Sequence, residues 1–290
     1  MTPTAPLRLG YVGLGNIGGP MAEKLARGDS PLTVYDLDET AVAKLVDAGA
    51  SAATSLAQLG TDADIISICV VDDAQVRTVV NGLLTAAPSG TIIAIHSTIN
   101  PATAVELAQA ASASGVVVVD APISGGAQGA AQGRLAVMVG GPREAYERIK
   151  PAFAPVSDLL VHAGDVGAGT RMKLARNLLH FISFAASAEA SRLAEAAGID
   201  LSKLGRVVRH TDAITGGAGA IMLRDTTAPI APDDFWYGIF SHVRDLGEKD
   251  LSLASELASQ VGVELRLGDI ALANLGAWLG VPRTDQEADN

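Results

Sequence analysis

The chain has 290 residues, 48% hydrophobic and 18% charged, which supports a sizeable core and excludes a disordered chain. Its 21 Lys and Arg against 32 Asp and Glu give a formal net charge of −11, arguing against nucleic acid or an anionic membrane surface as the main partner. The mean hydropathy of +0.29 is high, yet no run of about eighteen apolar residues is present, so no membrane span is expected. The lone cysteine, Cys69, leaves no internal disulfide and no Cys-rich metal site. The start, Met1 to Pro6, lacks a basic segment followed by a long apolar one, so a cytoplasmic location is expected. The acidic end, residues 284–290, reads as a frayed, solvated tail.

Along the first half, β-rich runs at 7–13, 32–36, 63–70, 91–97, 116–121, 135–139 and 158–162 alternate with helical patterns at 17–28, 39–48, 73–85 and 101–113. Such alternation means βαβ units and a parallel sheet. Ile65 to Ile68 and Val116 to Val119 are nearly continuous apolar runs, as expected of strands covered on both faces. After the string Gly164, Gly167, Gly169 the pattern changes. Residues 170–197 contain no Gly or Pro and predict one helix of about 42 Å. It is apolar on most faces through its middle, which calls for burial by other helices or by a partner subunit. Stretches 201–210, 235–258 and 266–279 also read helical, and the Gly- and Pro-rich piece 215–232 reads as loop.

The first strand runs into Gly13-Leu14-Gly15-Asn16-Ile17-Gly18, which opens a helix. Gly13 permits the tight turn, Gly15 lets a pyrophosphate approach the backbone, and Gly18 lets helix and strand pack closely. Phosphates then sit at the helix N-terminus, where free N–H groups favour anions. The second strand ends on Asp36, whose carboxylate suits both ribose hydroxyls and repels a 2′-phosphate. No Arg follows it, so NAD is predicted over NADP. The fold class is therefore α/β: a Rossmann-like doubly wound parallel sheet (1–163, NAD-binding), then an all-helical domain (164–290, substrate and dimerisation) entered by a long interdomain helix.

Two further segments carry chemistry. Ser124-Gly125-Gly126 follows a strand and can aim N–H groups and a hydroxyl at one anion, suiting a substrate carboxylate. Lys173 and Asn177 stand four apart near the start of the long helix, hence on one face. The helix dipole disfavours an ammonium there, lowering its pKa toward the range a general acid–base needs. The histidines His96, His162, His180 and His210 are scattered without metal-ligand spacing, so no metal site is predicted.

These residues resemble the β-hydroxyacid dehydrogenases, typified by 3-hydroxyisobutyrate dehydrogenase and tartronate semialdehyde reductase and akin to 6-phosphogluconate dehydrogenase. The resemblance runs through Gly13 to Ala22, Ser97-Thr98, Pro122 to Gly126, Lys173 with Asn177, and Lys249 to Ala254. It implies that Lys173 is the general acid–base, and that Asn177 holds the reacting oxygen and orients Lys173. It also implies that Ser124, Gly125 and Gly126 bind the substrate carboxylate and that Thr98 lies near the nicotinamide. Val70 and Val71 would line the adenosine side, and Lys249 would reach back to the cofactor. A homodimer or homotetramer is implied as well. Ile17 stands where the family usually has Met, Arg176 where Asn is common, and His242 where a Phe usually packs near the substrate. His242 either contacts substrate or only fills that space, which leaves the particular hydroxy acid open. Two other readings use the same fold. Imine reductases usually lack a lysine at this point, and a non-catalytic NAD-binding interaction module is marked by loss of that lysine.

Overall fold

The apolar runs of the first half form strands covered on both faces. In the computed structural model, which describes residues 6–283, they are β1 (Leu9–Val12), β2 (Leu32–Tyr35), β3 (Ser51–Ala52), β4 (Ile65–Ile68), β5 (Ile92–Ile95), β6 (Val117–Asp120), β7 (Ile123–Ser124), β8 (Leu135–Gly140) and β9 (Ser157–Gly164). The sheet order is β3-β2-β1-β4-β5-β6-β8-β7, with β9 beside β8. From β3 to β6 every pairing is parallel, and the order reverses between β1 and β4, the crevice where such sheets bind ligands.

The sheet is not parallel throughout, as the sequence suggested. β8 runs antiparallel to β6 and β7 and parallel to β9. The link 125–134 is shorter than the dozen or so residues a parallel crossover needs, so the chain turns back on itself there. The two-residue strands β3 and β7 carry no periodic signal, and both were missed.

Helices α1 (Gly18–Ala26), α2 (Glu39–Asp47), α3 (Leu56–Asp62), α4 (Asp73–Leu84), α5 (Pro101–Ser112), α6 (Gly126–Gln132) and α7 (Arg143–Phe153) flank the sheet. Asp38, Ser55, Asp72 and Asn100 start α2 to α5 by accepting hydrogen bonds from first-turn N–H groups. The strands alternate cleanly between two cores. Tyr11, Ile92, Ala94 and Val119 pack with Met21 of α1, Ala130 of α6 and Ile149 of α7. Ile66, Ile68, Ile93, Ile95 and Val118 pack with Leu59 of α3, Leu83 of α4 and Leu107 of α5.

The long helix is α8 (Ala168–Ala196), and the chain divides into two compact units within it, after Asn177. The described residues of the second unit form only helices: the rest of α8, α9 (Leu201–Thr215), a short 3-10 turn at Gly217–Gly219, α10 (Phe235–Val261) and α11 (Arg266–Trp278). Glu189 of α8 is buried and accepts from the backbone N–H groups of Leu267 (3.2 Å) and Gly268 (2.9 Å), capping α11. The apolar middle of α8 is not covered by its own chain. Leu178, Phe181, Ile182 and Phe184 are each more than half exposed. No helix among the described residues is long and apolar enough to cross a membrane. The tail read as frayed, 284–290, and the start, 1–5, lie outside the described residues.

His96, just beyond β5, is fully buried between Tyr11 and Phe153. Its ring bonds the Ala121 carbonyl (2.8 Å) and Ser67 Oγ (3.1 Å), and burial pushes its pKa from 6.5 down to about 4. The unfolded chain therefore takes up a proton between pH 6.5 and 4 that the folded chain refuses, and stability falls as pH falls through that window. The loss should reach about 3 kcal/mol by pH 4, with no contribution above pH 7. Urea unfolding across pH 4–8 checks this against His96→Gln, in which that part of the slope should vanish. An unchanged slope in the variant would show that His96 is not its source.

Candidate active site

The turn after β1 is shaped by close approach. Gly13 has φ +93°, and a Cβ there would collide with the Cys69 carbonyl. A Cβ on Gly18 would strike the Gly13 carbonyl, which fixes how tightly α1 meets the turn. Gly15, by contrast, has nothing within 4 Å of where a Cβ would stand, so its backbone faces open space. That space is a cavity of about 550 Å³ lined by Gly13, Gly15, Asp36, Val70 and Val71, among others. Asp36 at the end of β2 accepts from Leu14 N (2.5 Å) and Asp38 N (2.9 Å), so the acid also pins the glycine turn. Asn16 and Ile17 complete the turn into α1. Open backbone at a helix start, a neighbouring carboxylate and an apolar wall fit a dinucleotide.

Ser97, not Thr98, makes the hydrogen bonds after β5. Its hydroxyl accepts from Val70 N (2.9 Å) and donates to Val70 O (2.7 Å), fixing the wall of the cavity. Thr98 is exposed at the same edge. Ser97 thus sets Val70, a role that the motif Ser97-Thr98 does not by itself announce.

The helix start that carries Lys173 is held by a carboxylate to which the sequence assigned no role. Asp120, the last residue of β6, is fully buried; its two oxygens accept from Gly167 N and Thr170 N, each at 2.6 Å. It thus caps the start of α8 from the sheet. Gly169 belongs here because a Cβ would collide with the Met138 carbonyl. One turn on, Lys173 is 8% exposed and its Nζ donates to Ser124 Oγ at 2.9 Å. β7 holds Ser124 in register opposite Ala136 of β8. Burial, then the nearby Arg176 charge, hold the Lys173 ammonium below its ordinary 10.5. The direction is the expected one, with desolvation as the leading cause. Gly125 and Gly126 follow Ser124 with their backbone exposed, and Asn177 Oδ1 accepts from Arg176 Nη1 at 3.3 Å.

Within the first unit, then, the predicted Lys173 and Ser124 meet directly, and the glycine turn, Asp36, Val70 and Val71 share one cavity. His242 and Lys249 are exposed on α10 in the second unit, where Lys249 pairs with Asp250 at 3.1 Å.

Comparison with known proteins agrees with this geometry. Residues 8–164 match the NAD binding domain of 6-phosphogluconate dehydrogenase, and residues 167–285 match the NAD-binding domain of NADP-dependent 3-hydroxyisobutyrate dehydrogenase. The 3-hydroxyisobutyrate dehydrogenase of Pseudomonas aeruginosa is 36% identical, over 91% of this chain and 89% of its own. The chain belongs to the 3-hydroxyisobutyrate dehydrogenase family. An uncharacterized oxidoreductase of Mycobacterium tuberculosis is 57% identical over 98% of this chain and 97% of its own. The solved 3-hydroxyisobutyrate dehydrogenase of M. tuberculosis with L-serine matches with a TM-score of 0.68 at 28% identity, covering 94% of each chain. Imine reductases, such as one from a Pseudomonas species (TM-score 0.70, 21% identity, 95% and 96% of the two chains), share the fold alone.

This 3-hydroxyisobutyrate dehydrogenase family member is accordingly an NAD(P)-dependent oxidoreductase, and its helix–sheet joint is the part most open to test. Asp120→Ala leaves two buried N–H groups without a partner and should cost about 2–4 kcal/mol. Asp120→Asn keeps one acceptor and should cost less. Urea denaturation measures both, and a loss under about 0.5 kcal/mol for the alanine variant would mean that α8 is anchored some other way.

Proposed function

We propose that the enzyme reversibly oxidises a small 3-hydroxy acid with NAD in preference to NADP, Lys173 being the general acid–base. The observation that carries this is a buried lysine with a depressed pKa, 2.9 Å from a serine that opens a glycine pair. By accepting from Lys173, Ser124 Oγ keeps its own O–H free to donate to a substrate carboxylate, alongside the exposed N–H groups of Gly125 and Gly126. The substrate hydroxyl then stands against Lys173 Nζ, which as a neutral amine takes the hydroxyl proton while the carbon gives up hydride. Bound NAD supplies the hydride acceptor. Asn177 holds the same oxygen, and in the reverse direction the ammonium returns the proton.

The preference for NAD rests on charge. Asp36 also borders a neighbouring cavity lined by Glu39 and Asp47, and among the described residues no Lys or Arg lines either cavity. A 2′-phosphate beside Asp36 would meet a carboxylate with no cation lining the cavity to offset it. Thr98, Lys249 and His242 take the family's positions near nicotinamide, cofactor and substrate in this reading, and we extend it to a homodimer or homotetramer that covers the exposed apolar face of α8. A stable monomer in sedimentation at micromolar concentration would sink that last part.

Lys173→Ala should lower kcat at least about a hundredfold while NAD binding, followed by fluorescence titration, stays intact. In the oxidation direction kcat should rise with pH as Lys173 loses its proton, with an inflection below 10.5. Variant turnover near that of the wild type would remove Lys173 from the mechanism. For the cofactor, kcat/KM for NAD should exceed that for NADP by about tenfold or more, about 1.4 kcal/mol, and a reversed ratio would undo the role given to Asp36.

A further inference from the structure

We propose that Arg176 is a second anion-binding point of the reaction site and selects 3-hydroxy acids that carry a second carboxylate. The inference rests on the placement of Lys173 and Ser124 as the reaction centre. Arg176 lies three residues beyond Lys173, about 4.5 Å along the axis of α8, and so on the same face of the helix. Its Nη1 donates to Asn177 Oδ1 at 3.3 Å, so the guanidinium stands at the amide beside the lysine. It is near enough that its charge acts on the Lys173 ammonium.

Nothing of opposite charge answers it. Among the described residues neither Arg176 nor Lys173 makes an ion pair; Arg8, Arg27, Arg77, Arg134 and Arg143 of the same unit each hold a carboxylate, while Arg148 and Arg171 do not, and of the unpaired arginines Arg176 is the one whose charge acts on Lys173. Arg176 is exposed, and in a chain with 32 acids against 21 bases it still has no acidic partner. Two uncompensated cations side by side are unfavourable until an anion lies between or beside them. One carboxylate of the substrate is served by Ser124 and the glycine N–H groups. The planar fork of Arg176 is matched to another carboxylate, which it can hold by two parallel hydrogen bonds.

The test compares 3-hydroxyisobutyrate with 2-(hydroxymethyl)succinate, which differ in replacing a methyl group by a carboxymethyl group. Wild type and Arg176→Gln are assayed with NAD at one pH. Gln keeps a donor for Asn177 and removes only the charge; any effect on Lys173 falls on both acids alike and cancels in their ratio. The wild type should favour the dicarboxylate in kcat/KM by roughly tenfold or more, chiefly through KM, and Arg176→Gln should erase that preference while Arg176→Lys keeps part of it. Calorimetry of the NAD complex with the unreactive pair isobutyrate and 2-methylsuccinate should show the same Arg176-dependent difference.

A wild-type ratio near one, or equal losses on both acids in Arg176→Gln, overturns the inference; the second result would mean that Arg176 holds the single carboxylate. Absence of turnover with either acid, together with Arg176-dependent binding of 2-methylsuccinate, would overturn the dehydrogenase reading and leave the anion point standing. Absence of both overturns both.

Discussion

The Asp120 carboxylate is the joint on which the site depends. It ends β6, the last strand of the unbroken parallel run, and accepts two 2.6 Å hydrogen bonds from N–H groups at the start of α8, those of Gly167 and Thr170. A carboxylate at a helix N-terminus satisfies donors that the helix cannot satisfy itself and faces the positive end of its dipole. Because the strand is fixed by its neighbours on both sides, the helix start is fixed too. Lys173 then comes one turn later, over Ser124. Two glycines, Gly140 and Gly169, let backbone approach backbone at this joint, and neither could carry a side chain without displacing the carboxylate or a carbonyl.

The joint also explains why Lys173 can be buried. A long, flexible ammonium side chain would ordinarily turn to solvent, and here its stem is directed by the helix into a gap closed by β7. Desolvation then disfavours the charged form, and one hydrogen bond to a hydroxyl only partly replaces water. A carboxylate partner would have raised the pKa again by favouring the charged form, and the general-base role proposed for Lys173 needs the opposite. The chain's net charge of −11 repels anionic ligands at long range, so their capture falls to local donors: the open backbone of the glycine turns, Ser124, and the cations on α8.

Much of this was legible before any coordinates. The glycine turn, Asp36, the long helix and the Lys173–Asn177 pair each have a local pattern, because strand period, helix period and tight-turn chemistry act over a few residues. What stayed hidden acts over long separations. Asp120 is 47 and 50 residues from the N–H groups it caps, and Ser97 is 27 from Val70. β7 has two residues and owes its existence to pairing with β8, so no propensity announces it. The cause of the Lys173 shift was hidden for the same reason, since burial is a property of packing while the helix dipole can be read from position alone.

Helix α8 repeats the same device in its second half with the roles exchanged. At its start it receives a carboxylate from the sheet. Four turns beyond Lys173 it supplies one, Glu189, to the N-terminus of α11. Each compact unit is thereby fastened to its own stretch of this helix by a buried acid bonded to backbone N–H groups, a contact whose direction is set by helix geometry and cannot slide by one residue without leaving donors unpaired. In the first unit Lys173 sits one turn beyond the fastener that is fixed to the sheet, and in the second Glu189 sets the start of α11 by the same chemistry.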